Sequence, residues 1–139
     1  MALFLDTNVF LYAAGTPHAL REPCRAVLER VAAGTLHAIT SAEVVQELLY
    51  VLARKGRRED AVRLAASVID LCPDILPVTG ADVRAAGELL KASATLSVRD
   101  AVHVATMRNN GLYTLVSADQ HFDGVRGIKR LSPEEAAAS

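Results

Sequence analysis

Short apolar segments alternate with longer amphipathic segments along most of this chain. The apolar runs span four or five residues, which is typical of strands in a buried sheet; they occupy positions 2–5, 36–39, 75–78, 112–116 and 127–131. Between them, apolar residues recur every three or four positions, the spacing of a helix with one buried face. This spacing predicts helices over 9–14, 18–33, 41–55, 57–71, 81–92 and 97–110.

The regular alternation of strands and helices decides the predicted architecture. Strands separated by helices pair in parallel, so we predict an α/β fold: a three-layer α/β/α sandwich around a central, mostly parallel sheet of four to five strands. Pro77 in the third apolar run predicts an edge strand, because proline lacks a backbone donor. No linker or repeat divides the chain, so we predict a single domain over residues 1–139 with a frayed tail from 132 onwards.

Composition narrows the class of protein. Hydrophobic residues make up 51% of the chain and charged residues 22%, which indicates a compact fold. A net charge of −1 excludes nucleic-acid binding through overall charge, and three Phe, three Tyr and no Trp argue against aromatic platforms for bases. Cys24 and Cys72 are too scattered for a zinc site, so we expect buried free thiols. With no signal peptide or membrane-length apolar stretch, we expect a cytoplasmic protein.

Acidic residues stand at the boundaries of the predicted elements, and helix capping explains several of them taken singly. Asp6 suits the N-cap of the helix that follows it. Two matches to the capping-box pattern pair Glu43 with Thr40 and Asp100 with Ser97. These acids therefore have a structural explanation that needs no active site.

Other acids fit that explanation differently. Asp119 and Asp123 follow a strand and suit a turn, in which we place residues 119–123. Glu47 lies past the first helical turn, where no cap needs it. On a helical wheel it borders the apolar face beside Val44, whereas Glu43 lies further out. Glu47 is therefore the better candidate for a site residue.

Taken together, four of these acids indicate a metal site. Asp6 and Asp119 each follow a strand that reads as buried, and two neighbouring parallel strands would bring both to one crevice. Asp100 and Glu47 can reach the same edge from flanking helices. Carboxylates so close repel one another, which raises their pKa values or recruits a cation. Oxygen ligands without a Cys or His cluster favour Mg²⁺ or Mn²⁺, as one ion or two.

The motif order DTN … TSAEVVQELL … SVRDAVHVATMRNNGLYTLVSADQHFD resembles the PIN-domain ribonucleases over essentially the whole chain, and in particular the VapC-type toxins of bacterial toxin–antitoxin pairs. The four acids of that family map onto Asp6, Glu47, Asp100 and Asp119. The resemblance implies a metal-dependent endoribonuclease whose main Mg²⁺ ligands are Asp6 and Asp100, with the other two completing the cage directly or through water. Glu47 would orient the attacking water or take its proton.

The resemblance also implies supporting residues and partners. Asn8 and Ser117 match polar positions that steady the acids through hydrogen bonds, and Asp123 lies where some members carry an additional acidic or amide residue. The substrate would be RNA, cleaved to leave a 5′-phosphate and a 3′-hydroxyl. Such toxins dimerise and are held by a small antitoxin that inserts a segment into the acidic groove, so we expect a homodimer and a hetero-oligomer with the antitoxin.

Several polar residues have more than one interpretation. The basic run at 54–58 is either a solvated helix end, which we favour, or a patch that steers phosphates. Arg99 is a candidate substrate contact or an antitoxin-facing charge. For His103 and His121 we favour packing or surface roles over a role near the acids.

Two alternative functions stay open at this point. A haloacid-dehalogenase-type phosphatase would use Asp6 as its nucleophile, but that family places a second Asp where this chain has Asn8. A PIN fold that only binds RNA or protein would lack some of the acids, and this chain has all four.

Overall fold

The computed structural model describes residues 1–139 and contains five strands and seven α-helices; the strands and the first six helices follow the predicted order, and the seventh helix was not predicted. The strands are β1 Ala2–Leu5, β2 His37–Ser41, β3 Ile75–Leu76, β4 Thr114–Val116 and β5 Lys129–Leu131. The helices are α1 Thr7–Ala14, α2 Arg21–Ala32, α3 Ala42–Arg54, α4 Arg58–Leu71, α5 Gly80–Ala92, α6 Val98–Asn109 and α7 Pro133–Ala138. A 3₁₀ helix, Gln120–Gly124, occupies most of the predicted turn.

The five strands form one parallel sheet in the order β3-β2-β1-β4-β5, which confirms the predicted α/β architecture. The strand before Pro77 lies at the sheet edge, as predicted. β1 is central, and Leu5 pairs with Val116 of β4, so both strands end at the same level. The backbone N–H of Asp6 then donates to the Val116 carbonyl at 3.1 Å. The residues that follow β1 and β4 therefore share one edge of the sheet.

Helices on both faces bury this central pair of strands. Phe4 and Leu5 of β1 and Leu115 of β4 are completely buried. Val44 and Leu48 present the apolar face of α3 to the core, as the wheel predicted. The consecutive residues from His103 to Met107 in α6 are all buried. No helix combines the length and apolar character needed to cross a membrane.

One local prediction was wrong, because a serine caps a helix in the tail. The segment from 132 onwards does not fray: Ser132 and Glu135 form a capping box that starts α7, and Ala136 is fully buried. The N-cap of α3 is Ser41, and the capping box that the pattern allows between Thr40 and Glu43 does not form, because Thr40 instead donates its hydroxyl to the Leu5 carbonyl at 2.9 Å. Cys24 and Cys72 are buried free thiols, as predicted.

Candidate metal centre

Asp6 combines the two roles that the sequence left open. It caps α1, with Oδ1 accepting the Thr7 backbone N–H at 2.8 Å. Its other oxygen accepts from the Ser117 hydroxyl at 2.6 Å and from the Asn8 amide at 3.2 Å. Only 4% of the residue is exposed. These bonds fix the carboxylate at the carboxyl end of β1, so capping the helix also orients the site.

The Asn8 and Ser117 side chains join the ends of β1 and β4 into one network. The Asn8 amide donates to Ser117 Oγ at 3.1 Å and accepts from the Ala118 backbone N–H at 3.1 Å. Ser117 Oγ also accepts the Asp119 backbone N–H at 3.0 Å. The position of the loop after β4 is thereby coupled to Asp6.

Asp100 and His103 approach Asp6 from one face of α6. They lie one helical turn apart, and one ligand atom from each of these three residues falls within 4.8 Å of the others. Ser97 Oγ accepts the Asp100 backbone N–H at 3.1 Å, but the reciprocal half of the predicted capping box is not formed. The Asp100 carboxylate is therefore held near Asp6 without closing the cap.

Glu47, and not Glu43, is the acid of α3 that reaches this cluster. Its Oε1 accepts the Thr7 hydroxyl at 2.8 Å and lies 3.2 Å from His103 Nε2, which is 3.7 Å from Asp6 Oδ1. Glu43 instead lies 4.0 Å from the Arg99 guanidinium. The helical wheel correctly separated the two acids, because Glu47 borders the buried face of α3.

Asp119 lies at the rim of the cluster. Its Oδ1 accepts the His121 backbone N–H at 2.9 Å and lies 3.1 Å from His121 Nδ1, and about a third of its side chain is exposed. His121 is exposed, as favoured from the sequence. Burial and the Asp6 charge are the main causes of the raised pKa of Asp100, and the Asp119 charge adds a smaller rise. Asp119 therefore shares the edge of the sheet with the other acids without entering the tight group.

Asp123 faces a cation and does not join the acids. Arg130 donates to both of its oxygens, at 2.7 and 3.2 Å, and to the Ser117 carbonyl at 2.9 Å. This bidentate pair ties the end of the 3₁₀ helix to β5 and to the end of β4.

Arg99 stacks over the Tyr50 ring, with its guanidinium carbon 4.6 Å from the ring centroid.

Burial, neighbouring charges and hydrogen bonds shift the pKa values of the acids in the cluster. Burial raises the pKa of Asp6. Burial and then the Asp6 charge raise the pKa of Asp100 to about 6. For Glu47, burial alone would raise the pKa, but hydrogen bonds with His103 and Thr7 outweigh it and the net direction is downward. The cluster therefore holds two carboxylates that resist ionisation and one that is held ionised.

His103 is the residue that sequence reasoning placed wrongly. It is fully buried, but its ring faces Glu47 and Asp6. Burial disfavours the imidazolium, yet the hydrogen bond to Glu47 and the Asp6 charge outweigh burial and raise the pKa of His103. Its Nδ1 has no hydrogen-bond partner. The available signal was its spacing of three residues from Asp100, which puts both side chains on one helical face.

The family model described as PIN domain matches residues 3–128 of this chain. The chain belongs to the PIN-domain family. Over its length it is similar to Ribonuclease VapC13 of Mycobacterium tuberculosis, 33% identical over 130 residues that cover 94% of this chain and 99% of that protein. Ribonuclease VapC23 of the same species is 36% identical over 117 residues, covering 84% of this chain and 92% of that protein.

Solved structures agree with the PIN-domain fold. VapBC2 from Rickettsia felis, bound to a promoter DNA fragment, gives a TM-score of 0.75 at 18% identity and covers 95% of this chain and 98% of its own. VapC20 from M. tuberculosis, described as a toxin that cleaves the sarcin-ricin loop, gives 0.73 at 23% identity, with 89% and 95% covered. At these identities the likeness supports the fold alone.

The donor atoms of this PIN domain fit a divalent metal ion. Asp6 and Asp100 offer carboxylate oxygens within 4.8 Å of each other, and carboxylate oxygens are the ligands that hard divalent ions prefer. No cysteine joins them, since both thiols are buried in the core. A cation placed between the two carboxylates would favour their ionised forms, which burial now opposes. His103 Nε2 is already engaged by Glu47, so we assign the principal ligands to the carboxylates.

Proposed function

We propose that this chain is an Mg²⁺-dependent endoribonuclease and the toxin of a VapBC-type pair. The observation that carries the proposal is the pairing of Asp6 with Asp100: two carboxylates within 4.8 Å, both with raised pKa values. Such a pair destabilises the fold unless a cation occupies it. The ribonuclease names of the full-length relatives support the same conclusion.

The proximity of Asp6 and Asp100 supports their role as the principal ligands in this proposal. Asp6 and Asp100 would hold the ion, and Asp119 and Glu47 would complete its surroundings directly or through water. When bound, Mg²⁺ lowers the pKa of a coordinated water and stabilises charge that develops on the scissile phosphate. Mn²⁺ fits the same oxygen donors.

The remaining steps belong to side chains of the protein. Ser117 and Asn8 both donate to Asp6 Oδ2 and keep the carboxylate oriented, so it needs little reorganisation. The hydrogen bond with His103 keeps Glu47 ionised, so its carboxylate is available at neutral pH to accept a hydrogen bond from the attacking water and orient it. Arg99 precedes Asp100 in the first turn of α6 and suits a contact to the substrate phosphates. Attack by water on phosphorus would break the P–O3′ bond, so the 3′-oxygen leaves as a hydroxyl and the phosphate stays on the 5′-oxygen.

The phosphatase alternative has weaker support than the nuclease. That family places a second Asp two residues after its nucleophile, where this chain has Asn8, and the Asn8 amide donates to Asp6 Oδ2 at 3.2 Å. The match to the PIN-domain family over residues 3–128 is the second reason to set this alternative aside.

The proposed partner is a small antitoxin. The acids form a negative recess at the sheet edge, and a basic side chain of a partner segment would complement it and compete with the metal. The structural neighbours include toxin–antitoxin complexes from Klebsiella pneumoniae and Mycobacterium tuberculosis. We propose a homodimer that forms a hetero-oligomer with the antitoxin.

Inducible expression with transcript-end mapping tests the proposal. The wild-type chain should arrest growth and generate new RNA ends that carry 5′-phosphates, whereas Asp6→Asn should do neither while keeping its far-ultraviolet circular dichroism. Asp123→Asn is the matched control, because its carboxylate faces Arg130 and not the acids. Toxicity and new RNA ends from the Asp6→Asn chain would refute the proposed mechanism.

Glu47 and Glu43 provide a second matched pair. Purified Glu47→Gln should lose about 10- to 100-fold in cleavage rate, because the carboxylate that orients the water is gone. Glu43→Gln should cleave like the wild type, since Glu43 only approaches Arg99. The rates are measured with RNA and Mg²⁺; equal losses in the two variants would contradict the assignment of Glu47.

A further inference from the structure

A groove of about 650 Å³ opens beside the acids, between α1 on one side and α3 with α4 on the other. Asn8 is one of its lining residues, together with Leu11 and Tyr12 of α1. The same Asn8 side chain bonds Asp6 and Ser117. The groove therefore adjoins the carboxylate site through Asn8, and a strand bound in it would lie next to the acids.

The walls of this groove are positively charged. Lys55, Arg57 and Arg63 line it, with Asp60 as the one facing carboxylate. Asp60 pairs with both arginines, at 3.0 and 3.3 Å. Lys55 has no ion-pair partner and is exposed. The basic run at 54–58, which we favoured as a solvated helix end, thus turns two of its cations toward the groove. Three cations against one carboxylate complement a polyanion.

An aromatic pair lies on the opposite wall, contrary to the expectation from composition. The rings of Tyr12 and His18 stack with centroids 4.5 Å apart and an interplanar angle of 29°. Both line the groove, and His18 is exposed. The His18 ring is oriented by its Nδ1, which accepts the Leu20 backbone N–H at 3.1 Å. A flat, oriented ring beside a row of cations is what single-stranded nucleic acid needs.

We propose that this groove binds the single-stranded RNA that flanks the scissile phosphate. Lys55 and Arg57 contact phosphates of the strand, and a base stacks on the His18–Tyr12 pair. The proposal rests on the endoribonuclease function proposed above and adds the path of its substrate. Because phosphate contacts and stacking are tolerant of sequence, the groove supplies affinity and position, and leaves target choice to other contacts.

RNA binding without metal tests the cationic wall. The probe is a fluorescein-labelled pool of random single-stranded RNA of about 12 nucleotides, measured by anisotropy with the full chain in EDTA. Lys55→Gln should weaken binding about fivefold and reduce the slope of log K against log salt by about 0.7, the loss of one phosphate contact. Arg58→Gln is the matched control, because Arg58 belongs to the same basic run but does not line this groove.

Stacking on the Tyr12–His18 pair is tested by a loss of affinity without a change in the salt dependence. His18→Ala should weaken binding about fivefold with the salt slope unchanged, because stacking releases no counterions. His37→Ala is the matched control, since His37 is also exposed and lies outside the groove. Tyr12→Leu, which keeps the apolar contact with the core, should show the same loss as His18→Ala.

The outcomes separate this proposal from the function on which it rests. Wild-type affinity and slope in Lys55→Gln and wild-type affinity in His18→Ala would overturn the groove assignment, leaving the groove to a protein segment, whether or not the chain cleaves RNA. Losses confined to the groove variants would support it, since binding is measured without metal. If RNA binds in this way but added Mg²⁺ produces no cleavage by the wild type, the endoribonuclease proposal fails and the groove assignment stands.

Discussion

Asp82 and Asp100 occupy the same position in the same local motif, yet they have opposite electrostatics. Each is the third residue of its helix and follows a hydroxyl N-cap, Thr79 for α5 and Ser97 for α6. At Asp82 the capping box is closed: its carboxylate accepts the Thr79 backbone N–H at 2.9 Å and the Asn109 amide at 2.7 Å. At Asp100 the box is half open, and the carboxylate faces Asp6.

The two carboxyl pKa values move in opposite directions because the partners of the acids differ. At Asp82, burial would raise the pKa, but the hydrogen bonds from Thr79 and Asn109 outweigh burial and lower it. At Asp100, burial is the largest cause of a raised pKa, and the Asp6 charge adds to it, so the pKa reaches about 6. A carboxylate whose oxygens accept hydrogen bonds stabilises the fold. A carboxylate that faces another carboxylate is unfavourable in its ionised form, and a bound cation would relieve the repulsion.

The largest expected effect separates the two residues by catalysis. Asp100→Asn should reduce the rate of RNA cleavage by at least about 10³-fold, because one of two principal metal ligands loses its charge. Asp82→Asn should leave that rate essentially unchanged, since Asp82 bonds only Thr79 and Asn109. Both rates are measured at saturating Mg²⁺ on the same RNA.

Circular dichroism of the two variants is the control for folding. A folded Asp100→Asn chain that retains wild-type cleavage would remove Asp100 from the site. Loss of cleavage in a folded Asp82→Asn chain would show that the closed cap also serves catalysis. The two acids would then not differ in their effect on cleavage.

The next effect concerns the free energy of unfolding, for which Asp82 is expected to matter more than Asp100. Asp82→Ala should lower the free energy of unfolding by about 2 kcal/mol, because it opens a helix cap and leaves the Asn109 amide without its acceptor. A group with a lowered pKa stabilises the fold above its unfolded value, and this contribution is lost as pH falls through the folded value. Urea titrations at about pH 7 and pH 3 should therefore show a difference that shrinks in acid.

Thr79 provides the reciprocal test of the closed cap. Thr79→Ala removes the hydroxyl that accepts the Asp82 backbone N–H, and should cost about 1 kcal/mol by the same measurement. A stability of Asp82→Ala equal to that of the wild type at neutral pH would contradict the stabilising role of the box.

The sequence predicted the sheet and the acids that the fold brings to its edge, because those features depend on local patterns. Buried parallel strands read as apolar runs, and the residue after such a run lies at the carboxyl edge, which placed Asp6 and Asp119. Helical periodicity separated Glu47 from Glu43. A capping motif, however, has the same letters whether its acid closes the box or turns away. Thr79-x-x-Asp82 and Ser97-x-x-Asp100 differ only in what the rest of the fold brings near them.

His103 and the basic run at 54–58 illustrate the same limit of local patterns. His103 contacts Glu47 across 56 positions of sequence, so no local pattern announces the bond. Lys55 and Arg57 stand at the end of a helix, and their sequence looks like that of any solvated helix end. They share a groove with Tyr12 only because α1 packs beside the α3–α4 pair. Contacts between distant segments carry information that periodicity does not contain.

The smallest expected effect is on the stability of the metal-free chain, and it tests whether the ionised Asp100 carboxylate destabilises the fold. The rise in the pKa of Asp100 from 3.8 to about 6 corresponds to roughly 3 kcal/mol, which solvent screening of this partly exposed group reduces to about 1 kcal/mol. A raised carboxyl pKa favours the fold below the unfolded value, and that advantage is lost as pH rises through about 6. Asp100→Asn should therefore unfold at a higher temperature than the wild type at about pH 7.5, by about 2 to 4 °C, and at nearly the same temperature near pH 4.

Adding Mg²⁺ should invert this order. At about ten times its Kd, the ion adds about 1.4 kcal/mol to the wild type and raises its melting temperature at pH near 7.5, because it binds the folded state alone. Near pH 5 the shift should shrink, since protons compete for Asp100. Asp100→Asn should show no such shift, whereas Asp82→Asn should shift like the wild type. If metal-free Asp100→Asn were less stable than the wild type at neutral pH, Asp100 would be a satisfied cap like Asp82, and the two acids would no longer differ.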